Sequence, residues 1–242
     1  MSTQQIFEQL RNSSAENGPA LSIGTLTADV MDQAAAVDIL QQQDIGLLHI
    51  DVMDGRVWPK ITVGHFFVAG LRTELLKDVH LLIEEPEKQI PAFVGAGADM
   101  IAFSLENCSD IGAALDLVAK CQAESDSERT VRRGLSVYPE TSLEVIKPYL
   151  DKTDYVTLVS ISPDSGKQNF LSEMPDRIGQ LREWKDDLVI CIDGAVKKAN
   201  IGEVAQMGSD VIVTGSAVFD GNDAAKNINE MTASIQQSLS LS

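Results

Sequence analysis

Short apolar runs of β type recur eight times along this chain and alternate with longer stretches of helical spacing. The runs lie near Ala20–Thr25, Ile45–Asp51, Asp78–Leu82, Met100–Ser104, Arg132–Val137, Tyr155–Ser160, Leu188–Asp193 and Asp210–Thr214. Helical spacing is clearest at Asp29–Gln42, Ile111–Gln122, Leu143–Leu150, Met174–Trp184 and Asn200–Met207. Repeated strand–helix units imply a parallel sheet, because each helix carries the chain back across the sheet before the next strand. Eight such units with no break in composition predict a single closed (β/α)8 TIM barrel rather than two domains. The length of 242 residues agrees, since such barrels take roughly 250. Residues 1–18 are polar and read as an N-terminal arm or extra helix, which leaves 19–242 for the barrel. Lys120–Arg133 reads as a charged, solvated surface loop.

Composition narrows the partners. Hydrophobic residues make up 44%, enough for a sizeable core. The net charge of −17 argues against nonspecific binding to nucleic acid or to an anionic membrane, both of which need basic surface. An anionic substrate would therefore have to be held by a metal and by backbone N–H groups. Three cysteines, Cys108, Cys121 and Cys191, with no C-x-x-C pair, suit a reducing compartment without disulfides. The N-terminus lacks a basic start followed by an apolar block, and no apolar stretch is long enough to cross a bilayer. A cytoplasmic protein is expected.

The chemistry is concentrated where three of the predicted strands end. His49-Ile50-Asp51-Val52-Met53-Asp54-Gly55, Asp78-Val79-His80-Leu81-Leu82 and Cys191-Ile192-Asp193-Gly194-Ala195-Val196 each run from apolar to polar and then into a loop. His49 and Asp51 are two apart, so they share one face of a strand. In a parallel barrel the C-terminal strand ends form the active face. Two imidazoles and two carboxylates there (His49, Asp51, His80 and Asp193) suit zinc or a similar first-row divalent ion. The plainer reading, two core histidines and a turn aspartate, accounts for such residues singly but not for the four together. Proton transfer at carbon calls for carboxylates on opposite sides of a substrate. Val213-Thr214-Gly215-Ser216-Ala217 reads as a strand entering a helix N-terminus, where backbone N–H groups can grip a phosphate. Gly166 and Gly194 lie in further strand-end loops.

HIDVMDG, DVHLLI, DGAV and VTGSAVF, in that order from Leu21 to Phe219, resemble the ribulose-phosphate 3-epimerase family. The resemblance implies a (β/α)8 barrel and one divalent metal ion, zinc first, with iron, cobalt or manganese as alternatives. It implies reversible epimerisation of D-ribulose 5-phosphate and D-xylulose 5-phosphate through an enediolate. It places the metal ligands on His49, Asp51, His80 and Asp193, and the acid/base pair on Asp51 and Asp193. It assigns phosphate contacts to the backbone at Gly166, Gly194, Ala195, Gly215 and Ser216, and substrate contacts to Ser22 and Met53. A sugar phosphate is the implied small-molecule partner, and a homo-oligomer is the implied assembly.

The chain departs from the family pattern in the shell around that centre. The loop after strand six reads Ser162-Pro163-Asp164-Ser165-Gly166-Lys167-Gln168, where the family reads Asn-Pro-Gly-x-Gly-Gly-Gln. Two glycines are lost, and Asp164 adds negative charge where phosphate should approach. Strand four ends Phe103-Ser104-Leu105-Glu106 without the usual histidine, Tyr138 stands for an asparagine, and Leu82 for a methionine. A ketose 3-epimerase acting on another or unphosphorylated sugar is therefore an alternative. A catalytically silent barrel that binds a sugar phosphate or a partner is another. His65, before Phe66-Phe67, reads as structural.

Overall fold

The computed structural model describes residues 7, 10, 18–125, 130–163, 171–221 and 223–240. Eight strands, β1 (Ala20–Gly24), β2 (Leu47–Met53), β3 (Leu76–Leu82), β4 (Met100–Ser104), β5 (Arg132–Val137), β6 (Tyr155–Val159), β7 (Val189–Asp193) and β8 (Val211–Thr214), close in chain order into a barrel. Every neighbouring pair is parallel, including β1 with β8. The helices outside it are α1 (Gln33–Gln42), α2 (His65–Gly70), α3 (Ile90–Gly95), α4 (Ile111–Ser125), α5 (Met174–Trp184), α6 (Ile201–Ala205) and α7 (Ala224–Leu239). The expected single (β/α)8 TIM barrel is what forms.

Strand parity sorts the side chains into layers. In β2, Leu48, Ile50 and Val52 point outward and join Val79, Leu81, Ile190 and Ile192 in the core beneath the helices. Leu47 points inward with Leu76, Met100, Tyr155, Val189 and Val211, filling the lower barrel. Phe7 and Leu10, both helical, close that end, and Phe7 meets the Tyr155 ring edge-on at 6.0 Å. Tyr155 fits only because β5 offers Gly134: a Cβ there would stand 2.3 Å from the phenol ring. The residues one pleat higher on the same inward face are His49, Asp78 and Cys191, and the next are Asp51, His80 and Asp193. The site is thus the upper continuation of the packed interior.

Some sequence expectations are corrected. Leu143–Leu150 is no α-helix but two 3₁₀ turns, Leu143–Val145 and Lys147–Lys152. Pro148 supplies no N–H and disfavours a helical residue before it, so an α-helix cannot run through. Lys120–Arg133 is not all loop. Helix α4 continues to Ser125 and β5 starts at Arg132, because Lys, Gln and Glu extend a helix readily. Strands β2 and β3 are displaced from the expected limits, β2 by running on to Met53 and β3 by starting at Leu76. Helix α7, held at its N-terminus by Asp223 accepting from the Lys226 N–H, is an element the periodicity reading missed. His65 opens α2, its ring tilted against Phe66 at 4.2 Å and edge-on to Phe93 at 6.1 Å.

Candidate metal centre and active site

Strands β2, β3 and β7 bring together the residues that the strand-end pattern singled out. One donor atom each from His49, Asp51, His80 and Asp193 lies within 4.8 Å of the others. His49 Nε2 is 3.1 Å from Asp51 Oδ1 and 3.7 Å from Asp193 Oδ2. His80 Nδ1 is 3.1 Å from Asp193 Oδ2 and 3.4 Å from Asp51 Oδ1. The rings are buried, while the Asp51 and Asp193 side chains are 30% and 15% exposed. His49 lies at the foot of an open cavity of about 330 Å³ that Asp51 and Asp193 also line.

The electrostatics describe a cage waiting for positive charge. Burial opposes charge on His49, yet Asp51 and Asp78 hold its pKa well above the ordinary imidazole value. Burial opposes it on His80 too, yet the hydrogen bonds to Asp193 and Asp51 raise it to about 9. Burial works against the Asp51 carboxylate, but His49 and His80 take it far below the usual carboxylate range. Without a metal, protons on the rings balance the carboxylates. Two imidazole nitrogens and two carboxylate oxygens turned on one point are an N/O donor set that fits a divalent first-row ion replacing those protons.

The expected substrate contacts divide. Met53, Gly194, Ala195, Gly215 and Ser216 all line the cavity. Ala195 sits at φ 55°, in the left-handed region an alanine enters only under constraint. Gly215 passes so close to β1 that a Cβ would stand 2.8 Å from the Gly24 carbonyl oxygen. Ser22 is placed differently: fully buried below the cavity, it donates to Asp78 Oδ2 at 3.1 Å. Gly166, with the Asp164–Gln168 part of its loop, lies outside the described residues. Sequence reasoning missed Lys60 and Lys197, which bring cations to the cavity wall. Lys197 Nζ donates to Ser216 Oγ at 2.5 Å. For Lys197 the signal was a lysine three residues after Gly194, in a strand-end loop of an acidic chain.

The departures in strands four and five answer one another. The Ser104 and Tyr138 hydroxyls are 3.1 Å apart, and Ser136 Oγ donates to Ser104 at 3.3 Å. Tyr138 meets Trp58 edge-on at 6.3 Å and packs with Leu82 and Val159 into an apolar wall. Burial raises the Tyr138 pKa, so its hydroxyl stays neutral.

Fold and cluster together define a barrel enzyme with a His/Asp centre able to hold a metal ion. The model of the Ribulose-phosphate 3 epimerase family matches residues 20–219. The chain is 34% identical to ribulose-phosphate 3-epimerase of Bacillus subtilis over 216 residues, 86% of this chain and 96% of that protein. It is 39% identical to the enzyme of that name from Aquifex aeolicus over 183 residues, 73% and 79% of the two chains. Among solved structures, Streptococcus mutans KGPDC superposes with a TM-score of 0.66 at 11% identity, covering 91% of this chain and 98% of that one, a likeness of fold alone. This chain belongs to the ribulose-phosphate 3-epimerase family. It is an isomerase, an epimerase acting on carbohydrates. No helix among the described residues is long and apolar enough to cross a membrane.

Proposed function

We propose that this protein interconverts D-ribulose 5-phosphate and D-xylulose 5-phosphate by two-carboxylate proton transfer at C3. The observation that carries this reading is the pair Asp51 and Asp193, brought from β2 and β7 to one cavity beside two buried histidines. His49, Asp51, His80 and Asp193 would hold one divalent ion, zinc first, with iron, cobalt or manganese as alternatives. When bound, such an ion supplies Lewis-acid stabilisation to the oxygens of C2 and C3. One aspartate takes the C3 proton as the C–H electron pair moves into an enediolate. The other, protonated, returns a proton to the opposite face, and C3 is inverted. The reverse reaction exchanges the two roles, and nothing is oxidised or reduced. The two carboxylates must differ in protonation at each turn, so they titrate as a pair.

The phosphate would lie over Gly194, Ala195, Gly215 and Ser216, with Lys197 supplying the positive charge that an acidic protein must provide locally. Self-association would cover Val30 and Met31 between β1 and α1, Ile61 between β2 and α2, and Phe66 in the first turn of α2, large apolar side chains each at least 80% exposed. Sedimentation analysis tests that assembly.

NMR in D₂O with D-ribulose 5-phosphate and metal-reconstituted protein tests the reaction. Deuterium at C3 with appearance of D-xylulose 5-phosphate is expected. Absence of exchange with every candidate ion would sink this substrate. Asp164, in a loop short of two glycines, supports a second reading: epimerisation of an unphosphorylated ketose. Turnover of D-ribulose beside its 5-phosphate separates the two, and clear preference for the phosphate removes the second.

A further inference from the structure

His49 is held from below by a carboxylate that the proton-transfer reading does not use. Its Nδ1 lies 2.8 Å from Asp78 Oδ2. Asp78 stands opposite His49 in the β2–β3 register and is 3% exposed. Ser22 Oγ donates to the same oxygen at 3.1 Å, and the Tyr155 hydroxyl donates to the other at 3.5 Å. Side chains from β1, β2, β3 and β6 therefore meet under the metal-holding cluster.

A carboxylate accepts hydrogen bonds and cannot donate one. Facing Asp78, His49 Nδ1 must carry a hydrogen. A ring with one proton then has its lone pair on Nε2, the atom turned toward Asp51 and Asp193. We infer that Asp78 is a positioning residue that fixes His49 as the Nδ1–H tautomer and aims its Nε2 at the cation, with Ser22 and Tyr155 holding the Asp78 carboxylate in place. Ser22 thus serves the site through Asp78 and His49 rather than by touching substrate. Tyr155 is itself packed against Phe7, so the chain of contacts runs from the plug at the barrel floor to the metal-holding cluster. The inference rests on the reading that the His/Asp cluster holds a divalent ion.

The test uses the full chain and zinc alone, with no substrate. Zinc affinity is measured by competition with a chelator for the unchanged protein and for Asp78→Leu, Asp78→Asn and Ser22→Ala. Imidazole nitrogen NMR of the zinc-loaded forms reads the His49 tautomer. Losing such an outer partner costs on the order of 10–100-fold in metal affinity, and that is expected for Asp78→Leu, with the His49 tautomer no longer fixed. Asp78→Asn keeps an oxygen that can accept from Nδ1–H, so it should retain the tautomer and lose about tenfold. Ser22→Ala should lose least, and the His80 signals should stay where they are in every variant. Should Asp78→Leu fail to fold, the other two variants decide. A purely structural Asp78 would lower the stability of the metal-free protein and leave zinc affinity as in the unchanged chain. That pattern in folded Asp78→Asn and Ser22→Ala overturns the inference and spares the metal reading. Absence of zinc binding by the unchanged protein overturns both.

Discussion

The two buried histidines of the site present opposite nitrogens to the same space. His49 offers Nε2 and is braced at Nδ1 by Asp78. His80 offers Nδ1, and its buried Nε2 has no hydrogen-bond partner among the described residues. Strand register explains the difference. In the β2–β3 ladder His80 is level with Asp51, whereas His49 is level with Asp78, one pleat deeper. The deeper ring must reach upward, so its far nitrogen meets the cluster and its near nitrogen is left for a partner below. The higher ring needs only its near nitrogen. Depth in the barrel decides which nitrogen works, and therefore which ring needs an anchor. A buried polar atom without a partner costs about 1–3 kcal/mol, so His80 relies on packing and on its two carboxylates.

Both rings converge on Asp51 and Asp193, and removing either carboxylate charge should have the largest effect. Asp51→Asn and Asp193→Asn should each lower epimerase turnover about 10²–10⁴-fold, the usual cost of losing a general acid or base. Circular dichroism should show the barrel intact, since neither side chain belongs to the apolar layers. Activity near the unchanged level in either variant would remove the two-carboxylate mechanism.

Acid should compete with the metal at both rings. The histidine pKa values are raised, to about 9 for His80, so a bound ion must displace protons at neutral pH. Zinc affinity should fall on acidification below pH 9 by about tenfold per pH unit for each proton displaced. The metal-free protein should show the opposite trend. An imidazole whose pKa rises on folding stabilises the fold fully below about 6.5, the unfolded value, and that contribution is lost as pH climbs through 9. Asp51 has a depressed pKa, so its contribution is present above the ordinary carboxylate range and is lost in stronger acid. Thermal unfolding across pH, with and without zinc, checks both signs. Identical slopes would mean that the cluster is not where zinc binds.

The choice of nitrogen can be read by substitution. A glutamine places its amide near the position of Nε2, and an asparagine near that of Nδ1. His49→Gln should therefore keep more zinc affinity than His49→Asn, and His80→Asn more than His80→Gln. A gap of about tenfold, roughly 1.4 kcal/mol, is expected within each pair. The same preference at both positions would break the two-level account.

Much of this was legible in the sequence, and the unread part has a common cause. Alternating apolar runs and helical spacing identified the barrel, because a two-residue period and a 3.6-residue period are local properties of the chain. His49, Asp51, His80 and Asp193 were legible because each stands at the end of such a run, where a barrel opens. Asp78 was visible in the same motif as His80 but carried no signal of its own. Its role depends on the cross-strand register with His49 and on donors from β1 and β6, which one sequence does not reveal. Ser22 shows the same limit: its strand is legible, but its contact with Asp78 is not. The Ser104–Tyr138 pair reads as two unrelated departures until adjacent strands bring their hydroxyls together.

The rim supplies a third mode of anchoring, neither braced nor buried, and the smallest expected effect. Lys197 is exposed, and among the described residues its Nζ donates to Ser216 Oγ. An exposed charge is worth little, typically ~0.2–1 kcal/mol, because water and salt screen it. Lys197→Met should therefore raise KM for a phosphorylated ketose only about two- to fivefold, with kcat nearly unchanged, since the lysine would hold phosphate equally in ground and transition states. Added salt should shrink the difference, while turnover of unphosphorylated D-ribulose should not respond. Zinc affinity should be the same in both proteins, which separates the rim from the floor. A fall in kcat or in zinc affinity would instead tie Lys197 to the His/Asp cluster, and the division between deep anchors and a shallow rim would no longer hold.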